Sequence, residues 1–300
     1  MPSLVSRLVP LYIRATGRQR LLADAARARR HLDEAPLRPE SYGPPARLRR
    51  DVRLERTDRG TWPVYTLTPR DTPARGTLVY VHGGAWAREI ARQHWQLCAR
   101  IAAEAGTRVV VPIYPLVPRG TAAEVVDTVA DLVEEARAEH GRVAVGGDSA
   151  GGQIALSAAL TLRDRGAAPL DATVLLSPAV DLALDNPQID LVQPSDPWLE
   201  RPGTHVFIAA WRADLPLDDP RVSPLHGDFT GLGPLTITGG TRDICMPDTR
   251  LLVAAARAAG VEVDYREEPG QLHVHPLHPS PEGRRAQEHI VGVLRAALTG

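Results

Sequence analysis

Between residues 77 and 176, short apolar runs alternate with stretches of helical spacing, and this alternation constrains the fold more than any other feature. Thr77–His82 (TLVYVH), Arg108–Ile113, Arg142–Gly146 and Ala172–Leu176 read as strands buried on both faces. Between them lie Gln93–Ala105, Thr121–His140 and Ala150–Arg163. In the second of these, Val125, Val129, Leu132, Val133 and Ala136 share one side. Strands apolar on both faces need cover on both. Crossovers of helical length join parallel neighbours. The reading is an α/β fold with a mainly parallel sheet and helices on both faces. Asp51–Arg56 and Trp62–Leu67 add two strands around the Asp58-Arg59-Gly60 turn. The alternation resumes with a strand at Leu235–Thr238, a helix at Asp248–Ala259, a strand at Val261–Glu267 and a helix at Pro281–Leu298, giving an eight-stranded sheet.

Two segments stand outside the alternation. Residues 1–50 carry eleven arginines against Asp24, Asp33, Glu34 and Glu40, a net of +7 in a chain whose total is −1. Leu4, Leu8, Tyr12 and Ala15 recur at helical steps there, with Pro10 expected to interrupt or bend the helix. Residues 183–220 are rich in proline and hold one helix candidate, Gly203–Ala213. The expected organisation is therefore an N-terminal helical piece (1–50), a first core portion (51–182), an insertion over the end of the sheet (183–220) and a second core portion (221–300).

The balanced charge argues against a nucleic-acid partner. All 35 basic residues are arginine, which excludes Schiff-base chemistry and a P-loop, both of which need lysine. Two cysteines, Cys98 and Cys245, exclude a disulfide scaffold and favour a cytoplasmic location. The basic N-terminal helix leaves membrane contact open, although a helix covering a pocket is the simpler expectation. A homodimer is also left open.

The strongest chemical signal is Gly147-Asp148-Ser149-Ala150-Gly151, between the strand at 142–146 and the helix from Ala150. Small residues on either side let a sharp strand-to-helix turn present Ser149 as a nucleophile at a helix N-terminus. His82-Gly83-Gly84-Ala85-Trp86 follows another buried strand. Backbone N–H groups of Gly83 and Gly84, with that of Ala150, are expected to hold a developing oxyanion.

A serine nucleophile needs a base and a group to orient it. Asp243 lies where the strand at 235–238 gives way to a loop, whereas Asp248 is more simply the N-cap of the next helix. His273 comes first after Gly270 and is preferred as base over His275. His273, His275 and His278 also raise a metal site, but no acid or cysteine accompanies them at ligand spacing, so no metal or other cofactor is expected. His94 and the remaining histidines read as surface, cap or packing residues.

These residues resemble the hormone-sensitive lipase family of α/β-hydrolase carboxylesterases. The likeness rests on HGGAW at 82–86, Pro112-Ile113-Tyr114-Pro115-Leu116, GDSAGG at 147–152, Gly240 with Asp243, and Gly270 with His273. It implies hydrolysis of small carboxylic esters without a cofactor, and a helical cap built from residues 1–50 and the insertion. The family's third motif glycine is Ala85 here, a change expected to matter little if Gly83 and Gly84 are the donors. Trp86, Trp198 and Trp211, with Trp95 nearby, are candidates to line a pocket for short to medium acyl chains. A binding protein on the same fold, or an acyltransferase or amidase using the same residues, remains the alternative.

Overall fold

The computed structural model describes residues 2–37 and 39–299. Helices α1 (Leu4–Thr16), α2 (Arg20–Ala23) and α3 (Ala25–Glu34) precede the antiparallel pair β1 (Val52–Arg59) and β2 (Trp62–Pro69). There follow β3 (Thr77–Val81), α4 (Arg92–Ile101), β4 (Arg108–Pro112), α5 (Ala122–His140), β5 (Val143–Asp148), α6 (Ala150–Asp164) and β6 (Ala172–Leu176). After α7 (Gln188–Val192) and α8 (Arg201–Arg212), the chain closes with β7 (Leu235–Arg242), α9 (Met246–Ala258), β8 (Val263–Leu272) and α10 (Pro281–Thr299).

The eight strands form one sheet in the order β1-β2-β4-β3-β5-β6-β7-β8. β2 pairs antiparallel with both β1 and β4, and every later pairing is parallel. Successive side chains of a strand point to opposite faces. Along β3, Val79 and Val81 join a core with α5, α6, α8 and α9, while Leu78 and Tyr80 join a second core with α4 and α10. Both faces of the sheet are thus covered, as its continuous apolar strands require.

The sheet differs from the sequence reading at its last two strands. β7 continues through Gly239 and Gly240 to Arg242, and β8 through Gly270 to Leu272. Glycine runs look like loops in a sequence, but here they pair, with Gly239 opposite Glu267 and Gly240 opposite Glu268 before an irregularity at Gly240–Arg242. A Cβ on Gly240 would lie 2.3 Å from the Gln271 carbonyl oxygen, so the absent side chain is what permits the approach. Helix α9 begins at Met246 with Cys245 as its N-cap, so Asp248 sits inside the first turn and is not the cap. Its carboxylate accepts from Asn186 Nδ2 at 2.7 Å instead. Pro10 lies within α1, which continues to Thr16.

Of the N-terminal helices, α2 and α3 pack against α8, and α1 against α10. His31 Nε2 contacts the Ala87 carbonyl at 3.0 Å, and its ring meets Phe207 edge-on at 5.9 Å. α1 is tethered at the other side by Glu282, whose carboxylate accepts from Ser3 N–H at 2.6 Å and from the hydroxyls of Ser3 and Ser6, both at 2.8 Å. Those donors hold the Glu282 carboxyl down at about 2. Gly203 lets α8 touch the α2 backbone, since a Cβ there would lie 2.4 Å from the Leu21 carbonyl oxygen. Overpacking of this kind costs ~1–3 kcal/mol, so Gly203→Val is expected to open the α2–α8 contact about ten-fold more often. Amide exchange across α2 and α3 reads this out, and unchanged exchange would show that the contact carries no load.

Candidate active site

The ends of β5, β7 and β8 deliver the side chains, with β6 lying between β5 and β7. β5 ends at Asp148 and α6 begins at Ala150, leaving Ser149 alone on the turn with φ 53° and ψ −119°. A non-glycine residue at positive φ is strained and persists only where its surroundings fix it. Ser149 N–H is fixed by the Leu176 carbonyl at 2.9 Å. The tightness of the turn explains the flanking glycines: a Cβ on Gly147 would lie 2.4 Å from the Gly151 carbonyl oxygen, and one on Gly151 2.1 Å from that of Val81.

Arg242 and Leu272 are paired in the sheet, so Asp243 and His273 leave it side by side. His273 Nδ1 lies 2.9 Å from Asp243 Oδ2, and Nε2 lies 2.8 Å from Ser149 Oγ. Asp243 can only accept, which places the imidazole proton on Nδ1 and leaves Nε2 to accept from the serine hydroxyl. Asp243 and His273 are 0% and 2% exposed. Burial lowers the imidazole's proton affinity, but Asp243 outweighs it and holds His273 above the usual 6.5. Burial likewise works against the Asp243 carboxylate. His273, the Cys245 N–H and the Ser177 hydroxyl overcome it and keep the carboxyl below its usual range. The arrangement can pass a proton from hydroxyl to imidazole beside an orienting carboxylate.

His275 and His278 do not join this chain of contacts. His275 is buried and His278 half-buried, and desolvation pushes each down to about 4. Among the described residues, the one set of three groups close enough to share an ion is Asp243, Cys245 and His273, not the three histidines.

The glycine turn after β3 requires a correction. Gly83 N–H donates to Asp148 Oδ1 at 3.0 Å, so it is not available to an oxyanion. The free donors move one residue on: Gly84 and Ala85 N–H have no protein acceptor among the described residues. Ala85 therefore matters more than its sequence context suggests, and it holds φ 53° where a glycine would be relaxed.

The tryptophans separate. Trp86 and Trp211 stack at 5.8 Å, and both indole N–H groups donate to Gln153 Oε1 at 3.0 Å. At 2% and 0% exposure they are packing residues beneath the cover, not surfaces on offer to a ligand. Trp95 is enclosed on the far side of the sheet, edge-on to Tyr65. Trp198 alone is partly open, with its ring edge-on to His273 at 5.9 Å. A cavity of about 580 Å³ lies between the α1–α2 corner and residues 190–201, lined by Arg14, Gln193, Asp196 and Arg201 among others.

Three residues escaped the sequence reading. Ser177, just after β6, accepts from Val274 N–H at 3.0 Å, which braces the residue next to His273. Asp196 accepts from Trp198, Leu199 and Ile244 N–H groups at 2.9, 3.0 and 3.1 Å, tying the 196–199 turn to the loop of Asp243. Burial and the repulsion of Asp243 raise its carboxyl to about 6. His94, at the start of α4, contacts Asp148 Oδ2 at 3.1 Å. None of the three lies in a motif; each is recognisable only from what it touches.

Residues 78–277 match a family model described as alpha/beta hydrolase fold. An acetyl-hydrolase of Streptomyces hygroscopicus is 36% identical over 226 residues, 74% of this chain and 76% of the relative. Esterase LipU of Mycobacterium tuberculosis is 29% identical over 239 residues, 75% of this chain and 80% of the relative. The crystal structure of an esterase from the bacterial hormone-sensitive lipase family superposes with a TM-score of 0.84 at 26% identity, covering 99% of both chains. Strand order, Ser149 turn and relatives agree: the chain belongs to the hormone-sensitive lipase family of α/β-hydrolase carboxylesterases.

Proposed function

We propose that this carboxylesterase acts on esters of short to medium acyl chains through Ser149, His273 and Asp243. The observation that carries the reading is the unbroken line of contacts from Ser149 Oγ through the His273 ring to Asp243. Ser149 Oγ attacks the acyl carbonyl as its proton passes to His273 Nε2. Asp243 keeps the ring in the productive tautomer and stabilises its charged form. Gly84, Ala85 and Ala150 N–H groups receive the oxyanion. His273 then protonates the leaving alcohol, and water activated by the same nitrogen releases the acid from the acyl-enzyme.

Residues 1–50 and 183–220 serve as a cap over the strand ends, with Trp198 as the wall nearest the reacting atoms. The acetyl-hydrolase among the relatives supports a short acyl group.

Ser149→Ala is expected to lower kcat on p-nitrophenyl acetate by about 10⁴-fold or more with the fold intact. A panel of p-nitrophenyl esters from acetate to palmitate should peak at the short end, and a peak at palmitate would overturn the acyl-size assignment.

The acid limb of kcat/KM follows from the charge balance. His273 must be neutral to act, and Asp243 holds it above 6.5, so activity falls as pH drops through a midpoint above 6.5. Asp243→Asn removes the raising charge, and the limb should move to lower pH while kcat drops by ~10⁴. An acid limb that stays in place in the variant would assign it to a group other than His273.

A further inference from the structure

Behind the nucleophile lies a buried polar cluster that the proposed chemistry does not use. Asp148, 2% exposed, immediately precedes Ser149. Its Oδ1 accepts from Tyr80 O–H at 2.8 Å and from Gly83 N–H at 3.0 Å. Its Oδ2 meets His94 Nε2 at 3.1 Å. The His94 tautomer is set by the ring's other edge, where Nδ1 accepts from Ala91 N–H at 2.9 Å. The ring proton therefore sits on Nε2 and is donated to the carboxylate.

Each of these contacts bears on the glycine turn. Gly83 is its first residue, and the Asp148 carboxylate holds the N–H at that point. The same carboxylate crowds the turn closely enough that a Cβ on Gly83 would lie 2.3 Å from Oδ2. From the other side, Tyr114 O–H donates to the His82 carbonyl at 3.0 Å. A buried carboxylate that loses a donor either shifts or protonates, and in both cases it becomes a poorer acceptor for the rest. Burial alone would raise the Asp148 carboxyl, and His94 leads the groups that keep it below its usual range.

We propose that His94 is a positioning residue for ester hydrolysis: through Asp148 it fixes the Gly83–Ala85 turn that presents the oxyanion donors. The proposal rests on the assignment of Gly84 and Ala85 as those donors. His94 touches neither substrate nor Ser149. Its contribution is realised when charge develops on the carbonyl oxygen, because donors placed beforehand need no reorganisation at that moment.

His94 also caps α4, and the two roles are separable by amide isosteres. Asn places an amide group near the position of Nδ1, and Gln near that of Nε2. His94→Asn should thus keep the cap and lose Asp148, and His94→Gln the reverse. With the full-length chain, kcat and KM are measured on p-nitrophenyl acetate, alongside inhibition by an alkyl trifluoromethyl ketone, whose serine adduct carries an oxyanion. His94→Asn is expected to lower kcat by about 10- to 100-fold, less than the ~10²–10³ for deleting a donor outright. KM should stay within about two-fold, and ketone affinity should fall with kcat. His94→Gln should recover most of both.

Activity kept in Asn and lost in Gln would reduce His94 to a helix cap and overturn the proposal. So would a fall in kcat with ketone affinity unchanged. Tyr80→Phe removes a donor from the same carboxylate without touching α4. It should show the same paired losses in smaller measure, and it carries the test if the His94 variants do not fold. Ser149→Ala is run in parallel, because activity surviving there would sink the serine mechanism itself, a result distinct from either outcome at His94.

Discussion

The organisation of this enzyme depends on one close approach, that of the α6 N-terminus to the end of β3. Gly151 lies against the Val81 carbonyl with no room for a methyl group. That contact brings the glycine turn beside Ser149 and forces the serine to positive φ. The helix N-terminus at the same point places its partial positive charge beside Ser149. Strain at one residue is thus balanced by packing spread over two strands and a helix, the usual way such a conformation is maintained.

The parallel sheet accounts for the rest of the geometry. β3, β5, β7 and β8 run in the same direction, so their following loops emerge at one edge. Ligand sites of open α/β sheets lie at that edge. Hydrogen-bond register aligns Arg242 with Leu272, and the residues that follow them, Asp243 and His273, are in contact at 2.9 Å. The precision of the His273–Asp243 contact is therefore inherited from backbone pairing, which is stiffer than any side-chain arrangement. Ser177 and Asp196 extend this by bracing the two loops beyond the strand ends.

Much of this was legible in the residues. Apolar runs gave the strands because strands buried on both faces have few other compositions available to them. The order serine, acid, histidine is the α/β-hydrolase pattern, and strand ends then pointed to Asp243 and His273 as its candidates. Boundaries were less legible at β7 and β8, where glycine marks close pairing as readily as it marks a turn. The Gly83 donor was misassigned because sequence does not reveal that its N–H is already spent on Asp148. Trp86 and Trp211 read as pocket walls because an indole near a motif looks alike whether its N–H faces a ligand or Gln153. His94 is invisible for the same reason: its meaning lies in a contact across 54 positions of chain.

Ala85 carries a consequence for the ensemble of chain conformations as a whole. At φ 53° it is strained where glycine would not be, by roughly 1 kcal/mol. Alanine also has fewer conformations to surrender than glycine when the chain folds, an advantage of ~0.4–1 kcal/mol. At positive φ the strain exceeds the entropic gain, so alanine costs some overall stability here, and the two effects differ in where they act. The strain belongs to the folded loop, while the entropy belongs to the unfolded chain. Within the native state, alanine denies the turn the alternative backbone states that glycine would sample, so a residue that costs the fold a little makes the loop's local landscape narrower.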